Sequence, residues 1–421
     1  MNKKIKDVII IGFALFSMFF GAGNLIFPSY LGVTSGSDWL ISFAGFILAD
    51  VGLILVSIYA ISRVGSFQAV VGRAGQKFGL GLEIIIMLCL GPILVIPRTG
   101  ATTFEMSVEP LVGMSPVVFS ILFFALTYML TIRPTKVMDI IGKFLTPILL
   151  IALTILIAKG ITSPIGEIQT LTHTTNLFTT GINQGYQTMD AMGLGGITAF
   201  IMASFMAKGY TNQKDRVSLT IKASLIAAVG LILVYGGLTY LGATASSLFD
   251  GSISQTELLV NITALVLGDV GKVLLAVVVA FACLTTAVGL LSVTAKFFEE
   301  VTNGRLKYEN LILIICIFSA FGANLGVDQI IAIAAPILSI IYPVIIILVL
   351  MSCFPAIFKT NLEFKLGAYT TLVISVLTGL GAFGVVIPVV HELPLAKYGF
   401  NWIIPALLSI VIAKLINRSK N

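Results

Sequence analysis

The sequence predicts an all-α polytopic membrane protein of about twelve transmembrane helices. Three observations carry this: too little charge for a soluble surface, apolar runs of membrane-spanning length, and basic residues confined to alternate connections. Of 421 residues, 57% are hydrophobic and 10% charged, whereas a soluble domain carries about 25% charged residues. A bilayer-spanning helix needs about 20 mostly apolar residues, so the hydrophobic share suffices for roughly twelve.

The runs fall at about 8–31, 39–61, 79–104, 116–131, 137–158, 184–207, 219–243, 268–296, 309–325, 328–353, 366–389 and 401–417. In lipid each must be helical, because an open strand edge would leave backbone groups unsatisfied. The weakest are 79–104, interrupted by Gly91-Pro92 and Pro97, and the division between 309–325 and 328–353. The N-terminal Lys3-Lys4-Ile5-Lys6 looks like the start of a signal peptide. No small-residue cleavage site follows, so the first run is expected to be a retained span.

Charge tests the count. With a cytoplasmic N-terminus and twelve spans, 21 of the 25 Lys and Arg fall on the inside, leaving Lys159, Lys272 and Lys397 outside and Arg98 within a span. A missed or invented helix would invert everything after it, so the asymmetry predicts both termini inside. The same rule accounts for the net charge of +6 without nucleic acid. The segments 159–183 and 244–267 have room for a short surface helix each, and none has the character of a soluble domain. Cys89, Cys283, Cys316 and Cys353 lie in apolar runs without metal-ligand spacing and read as packing residues. His173 and His391 are assigned to outside loops, which argues against haem or a zinc hydrolase centre.

Two spans carry helix-breaking sequences. The first contains Gly21-Ala22-Gly23-Asn24, then Phe27-Pro28. Unwound backbone at that depth is tolerable only where it lines a cavity or meets a ligand; the alternative is a close helix-packing face. The sixth contains Gly185-Tyr186-Gln187-Thr188-Met189-Asp190, then Gly193, Gly195 and Gly196. Five spans separate the breaks, and an odd number makes the second repeat enter from the opposite side. Paired interrupted helices in inverted halves point to a transporter's central site. The eighth span adds Thr285-Thr286, adjacent hydroxyls able to complete an oxygen shell for a small cation, or to bond their own helix carbonyls. Asp50, Arg98, Glu105 and Asp190 lie within or at the edge of spans. Intramembrane charges either pair or work: Arg98 would pair with Asp50 or Asp190, or Asp190 would contact a substrate ammonium or gate protons.

The run Phe13 to Pro28, the segment Gly91-Pro92-Ile93-Leu94-Val95-Ile96-Pro97-Arg98-Thr99-Gly100-Ala101-Thr102, and Gly185 to Ala191 resemble the branched-chain amino acid:cation symporter family. That family belongs to the amino acid–polyamine–organocation superfamily. The resemblance covers essentially the whole chain. It implies a five-plus-five inverted repeat with helices 1 and 6 broken and two additional helices. One transporter domain would span 1–421, with repeats at about 8–158 and 184–353 and extra helices at about 366–417. It also implies import of leucine, isoleucine and valine across the bacterial inner membrane by symport, through alternating access.

Substrate would meet Gly21, Ala22, Gly23, Asn24, Gly185, Tyr186, Gln187, Thr188 and Asp190. By the same resemblance a sodium site would use Ser17, Phe20, Ala282, Thr285 and Thr286. Polar residues of the second and third spans do not match known sodium or proton ligands, so Na⁺ is favoured and H⁺ stays open. No other cofactor, nucleic acid or obligate protein partner is expected; the partners are the amino acids and the lipid bilayer. A cation antiporter using the buried acids is the alternative. A membrane-embedded enzyme is a weaker one, because no clustered catalytic acids, histidines or metal motif appear.

Overall fold

The computed structural model describes residues 3–21, 23–132, 136–172 and 175–418, with the backbone alone for 136–146. All regular structure among the described residues is helical, and each of the twelve apolar runs contains a helix. Among the described residues, six helical stretches are long and apolar enough to cross a bilayer unaided: Gly23–Val64, which takes in the end of the first span and the second, Gln76–Val112, Gln213–Thr244, Gln255–Val301, Val327–Cys353 and Asn361–Phe383. Shorter apolar helices cover Pro116–Ile132, Pro147–Thr162, Leu194–Ala207 and Tyr308–Ala323. Lys3–Phe19 begins the first span and Ile403–Arg418 forms the twelfth.

Both weak predictions resolve as separate spans. The third runs from Gln76 to Val112 as one span despite its prolines, but its helix is kinked at Gly91 (φ −90°, ψ −117°), between Gln76–Leu88 and Val95–Thr103, and a wider π turn follows at Phe104–Val108. Pro92 cannot donate a backbone hydrogen bond, and Leu94 N–H reaches back to the Cys89 carbonyl at 3.2 Å. The ninth and tenth spans part at Gly326, whose φ of 82° ends one helix and starts the next. Of the two long connections, 244–267 holds the first part of Gln255–Val301, bent off the eighth span at Gly268 (φ 70°). Between Thr162 and Leu177 the described residues carry no helix.

Exposed Leu, Ile, Val and Phe side chains cover the flanks of most spans. In water this would be an aggregation surface; around a membrane bundle it is the lipid face. Inside, two close helix contacts fix the scaffold. Gly32 and Gly242 let Gly23–Ser35 lie directly on the seventh span, where any Cβ would strike the Thr239 and Ser29 carbonyls. Gly45 and Gly181 do the same for the second span and Leu177–Gln187, against the Phe178 and Ser42 carbonyls. Small residues at such crossings let backbones approach, and one half-helix at each break, Gly23–Ser35 and Leu177–Gln187, is held this way.

Candidate functional site

The first break falls where the sequence places it. Lys3–Phe19 ends on a bond from Phe20 N–H to the Phe16 carbonyl at 2.9 Å, and a new helix starts at Gly23. Ala22 lies outside the described residues. The second break differs in its cause. Leu177–Gln187 stops at Thr188, Met189 takes a left-handed conformation (φ 60°), and one 3₁₀ turn, Asp190–Met192, leads into Leu194–Ala207. A left-handed non-glycine residue is uncommon. The glycines at 193, 195 and 196 therefore follow the break rather than make it.

Between the two breaks lies a cavity of about 190 Å³. The expected substrate residues Gly21, Gly23, Asn24, Thr188 and Asp190 line it. So do all five residues of the expected cation site, Ser17, Phe20, Ala282, Thr285 and Thr286. Gly185, Tyr186 and Gln187 do not. Gly185 faces the second span, where a Cβ would lie 2.8 Å from Ala49 Cβ. Tyr186 stacks on Tyr342 with centroids 4.1 Å apart. Gln187 donates from Nε2 to the Ile331 carbonyl at 3.3 Å.

Polar bonds tie the breaks together. Asn24 Nδ2 donates to Asp190 Oδ2 at 2.7 Å and to the Tyr235 hydroxyl at 2.6 Å, using both hydrogens of its amide. Thr188 Oγ1 lies 3.0 Å from Asp50 Oδ1 and 2.8 Å from the Gly185 carbonyl. Asp50 sits in a π turn of the second span, Leu48–Gly52, 1% exposed, with Oδ2 unpartnered. Arg98 Nη1 donates to the Gln187 carbonyl at 2.8 Å. It lies beyond ion-pair contact with both Asp50 and Asp190, though close enough to Asp190 for the two charges to interact.

Glu105 works elsewhere. Its oxygens accept from Thr256 Oγ1 at 2.6 Å and from Val327 N–H at 2.9 Å, capping the tenth helix. On the eighth span Thr285 donates to the Ala282 carbonyl at 2.9 Å. That is the ordinary intrahelical bond, and it leaves oxygen lone pairs for another partner. No group of His, Cys, Asp and Glu among the described residues could hold a metal, so a cation here would rest on hydroxyls and carbonyls.

Sequence reasoning did not single out Tyr235, Thr99, Thr102 or Cys283 as site residues. Tyr235 is fully buried and holds Asn24, and the other three line the cavity. A polar trio at 98, 99 and 102 inside an apolar span was the available signal for the third helix. For Tyr235 there was none.

The family described as branched-chain amino acid transport protein matches residues 4–420. The branched-chain amino acid permease BrnQ of Bacillus subtilis (strain 168) is 35% identical, the match covering 97% of this chain and 96% of that protein. The permease BrnQ of Escherichia coli (strain K12) is 34% identical, covering 98% and 96%. Among solved structures, the inward-facing conformation of Mhp1 superposes with a TM-score of 0.63 at 13% identity, covering 98% of this chain and 91% of that one. A Na⁺-coupled sialic acid symporter in its substrate-bound outward-open state gives 0.51 at 14% identity, covering 98% and 96%. These likenesses show a shared transporter fold. The relatives are permeases and carriers, not enzymes, and the chain belongs to the branched-chain amino acid transport protein family.

Proposed function

We propose that the protein imports leucine, isoleucine and valine through the bacterial inner membrane, coupled to a cation, by alternating access around the cavity between the two breaks. The observation that carries this reading is the cavity itself: it gathers the free helix ends of spans one and six with hydroxyls of span eight. In this reading the repeats cover about 8–158 and 184–353, and both termini lie in the cytoplasm. The names of the relatives support the cargo. The likeness to a Na⁺-coupled symporter supports coupling in general.

Binding and coupling divide the site. Apolar walls from Phe20, Leu90, Leu149, Ile197 and Leu290 suit a branched side chain. Pocket size alone discriminates weakly between side chains one or two methylenes apart, by about 1–3 kcal/mol. Asp190 would meet the ammonium. Na⁺ is the favoured ion, held by Thr285, Thr286 and carbonyls of Ser17, Phe20 and Ala282. Leucine uptake by proteoliposomes at fixed pH, with Na⁺ replaced, tests this for wild type and Thr285→Ala. Sodium-dependent uptake lost in the variant is the expected result. Uptake indifferent to Na⁺ in the wild type would reject sodium coupling.

A further inference from the structure

Asp50 is a buried acid with no part in holding the cargo or the sodium ion proposed above. It is 1% exposed and lies behind Thr188, which lines the cavity. Its π turn, Leu48–Gly52, packs so closely on the half-helix Leu177–Gln187 that a Cβ on Gly185 would lie 3.4 Å from the Asp50 nitrogen. Oδ2 has no hydrogen-bond partner, and no ion pair reaches Asp50 among the described residues. The ionisable groups close enough for their charges to act on it are Asp190 on span six, Tyr235 on span seven and Tyr342 on span ten. None of these is a cation. Arg98, on span three, acts on Asp190 instead.

The hydrogens around Thr188 do not add up with an ionised Asp50. A threonine hydroxyl has one hydrogen and two lone pairs. Thr188 Oγ1 lies 2.8 Å from the Gly185 carbonyl and 3.0 Å from Asp50 Oδ1. Both are acceptors when the acid is ionised, so one contact would lack a hydrogen. Asp190 N–H, at 3.4 Å, donates to the same hydroxyl oxygen and takes one of its lone pairs. One further proton, on Asp50 Oδ1, completes the set: Asp50 donates to Thr188, and Thr188 donates to Gly185. The same proton removes a buried charge whose second oxygen has no donor. Two acids this close resist ionising together, and Asp190, bonded by Asn24 and near Arg98, is the better seat for the negative charge.

We propose that Asp50 and Thr188 form a proton-binding site behind the cavity, with the proton on Asp50 and Thr188 as its link to the cavity. On release the Asp50 Oδ1–H bond breaks and its proton passes to Thr188 Oγ1. The Thr188 hydrogen, turned from Gly185 into the cavity, passes to a water there. Asp50 is left as a carboxylate and Thr188 as a hydroxyl. That carboxylate then needs the hydrogen that the Gly185 carbonyl held, so the charge of Asp50 and the bonding of the span-six break change together. The site is separate from Thr285 and Thr286, and it does not depend on which cargo the cavity takes.

Infrared spectra of the purified protein in lipid at neutral pH, for wild type, Asp50→Asn and Thr188→Val, test this. Asp50→Asn keeps a neutral side chain of the same shape. The wild type should show a protonated-carboxyl band that shifts on exchange into heavy water, and Asp50→Asn should lose that component. Thr188→Val should keep the band but move it, because the acceptor is gone, and should slow its exchange with heavy water. A carboxyl region identical in wild type and Asp50→Asn would overturn the proposal. A Thr188→Val band unchanged in position and exchange rate would overturn it too, and that result is read whether or not Asp50→Asn folds.

Discussion

Asn24 joins the first break to both the second break and the seventh span, so its removal has a calculable cost. Asn24→Leu keeps similar volume and deletes both donors, one to Asp190 Oδ2 and one to the Tyr235 hydroxyl. Polar contacts between transmembrane helices average about 0.6 kcal/mol each and reach about 1.7. The carboxylate oxygen left behind adds about 1–3 kcal/mol if it finds no other donor. The expected total is about 2–4 kcal/mol. Reversible unfolding in mixed micelles, with Asp190→Asn and the double variant, reads this out as a cycle. Coupling of about 1 kcal/mol or more between Asn24 and Asp190 is expected, since residues in contact do not add. Additivity within about 0.5 kcal/mol would refute the claim that this bond holds the breaks together.

Other substitutions probe separate parts of the account. Gly181→Ala should destabilise by more than about 1 kcal/mol, because its Cβ meets the Ser42 carbonyl. Gly196→Ala, with nothing near its Cβ, should stabilise the sixth helix by about 0.5–1 kcal/mol; melting temperatures moving in opposite directions check the pair. Asp50→Asn should stay within about 1 kcal/mol of wild type, since only Oδ1 is bonded and an amide oxygen can accept there; a collapse of the melting temperature would contradict it. Asp7, just before the first apolar run, accepts from Lys208 Nζ at 2.8 Å and from the Tyr210 hydroxyl at 2.9 Å. These bonds, Lys208 first, hold its carboxyl below the usual value of 3.8. A depressed folded value means that the contribution is complete above 3.8 and lost as pH falls through the folded value. Asp7→Asn should therefore flatten the acid limb of stability and leave neutral pH profiles parallel.

The membrane layout was legible because the bilayer leaves few choices: about 20 apolar residues must become a helix. Even the third span, with Gly91-Pro92 and Pro97, obeys that constraint, by kinking at Gly91 and resuming as a helix at Val95. The first break was legible in Gly21-Ala22-Gly23, since little else stops a helix there. At the second, three glycines drew attention away from Met189, which makes the turn. Glycine is ambiguous in a membrane helix: Gly195 packs on Phe67, with Cβ atoms that would be 2.9 Å apart, and Gly196 meets nothing. Rotation of each helix was not legible at all. It decides that Thr188 and Asp190 line the cavity while Gly185 and Tyr186 turn to neighbouring spans, and it is set by contacts such as Gly45 with Phe178 that lie more than a hundred residues apart. The partner of Arg98 was missed for the same reason, because a backbone carbonyl leaves no trace in sequence.

The central claim is that the cavity between the breaks carries a branched-chain amino acid across the membrane. Counterflow in proteoliposomes loaded with unlabelled leucine measures this without assuming any coupling ion. Transient accumulation of labelled leucine, competed by isoleucine and valine, is the predicted result. No exchange with any branched-chain amino acid, in vesicles whose protein is folded, would contradict it and turn attention to cation exchange through the buried acids.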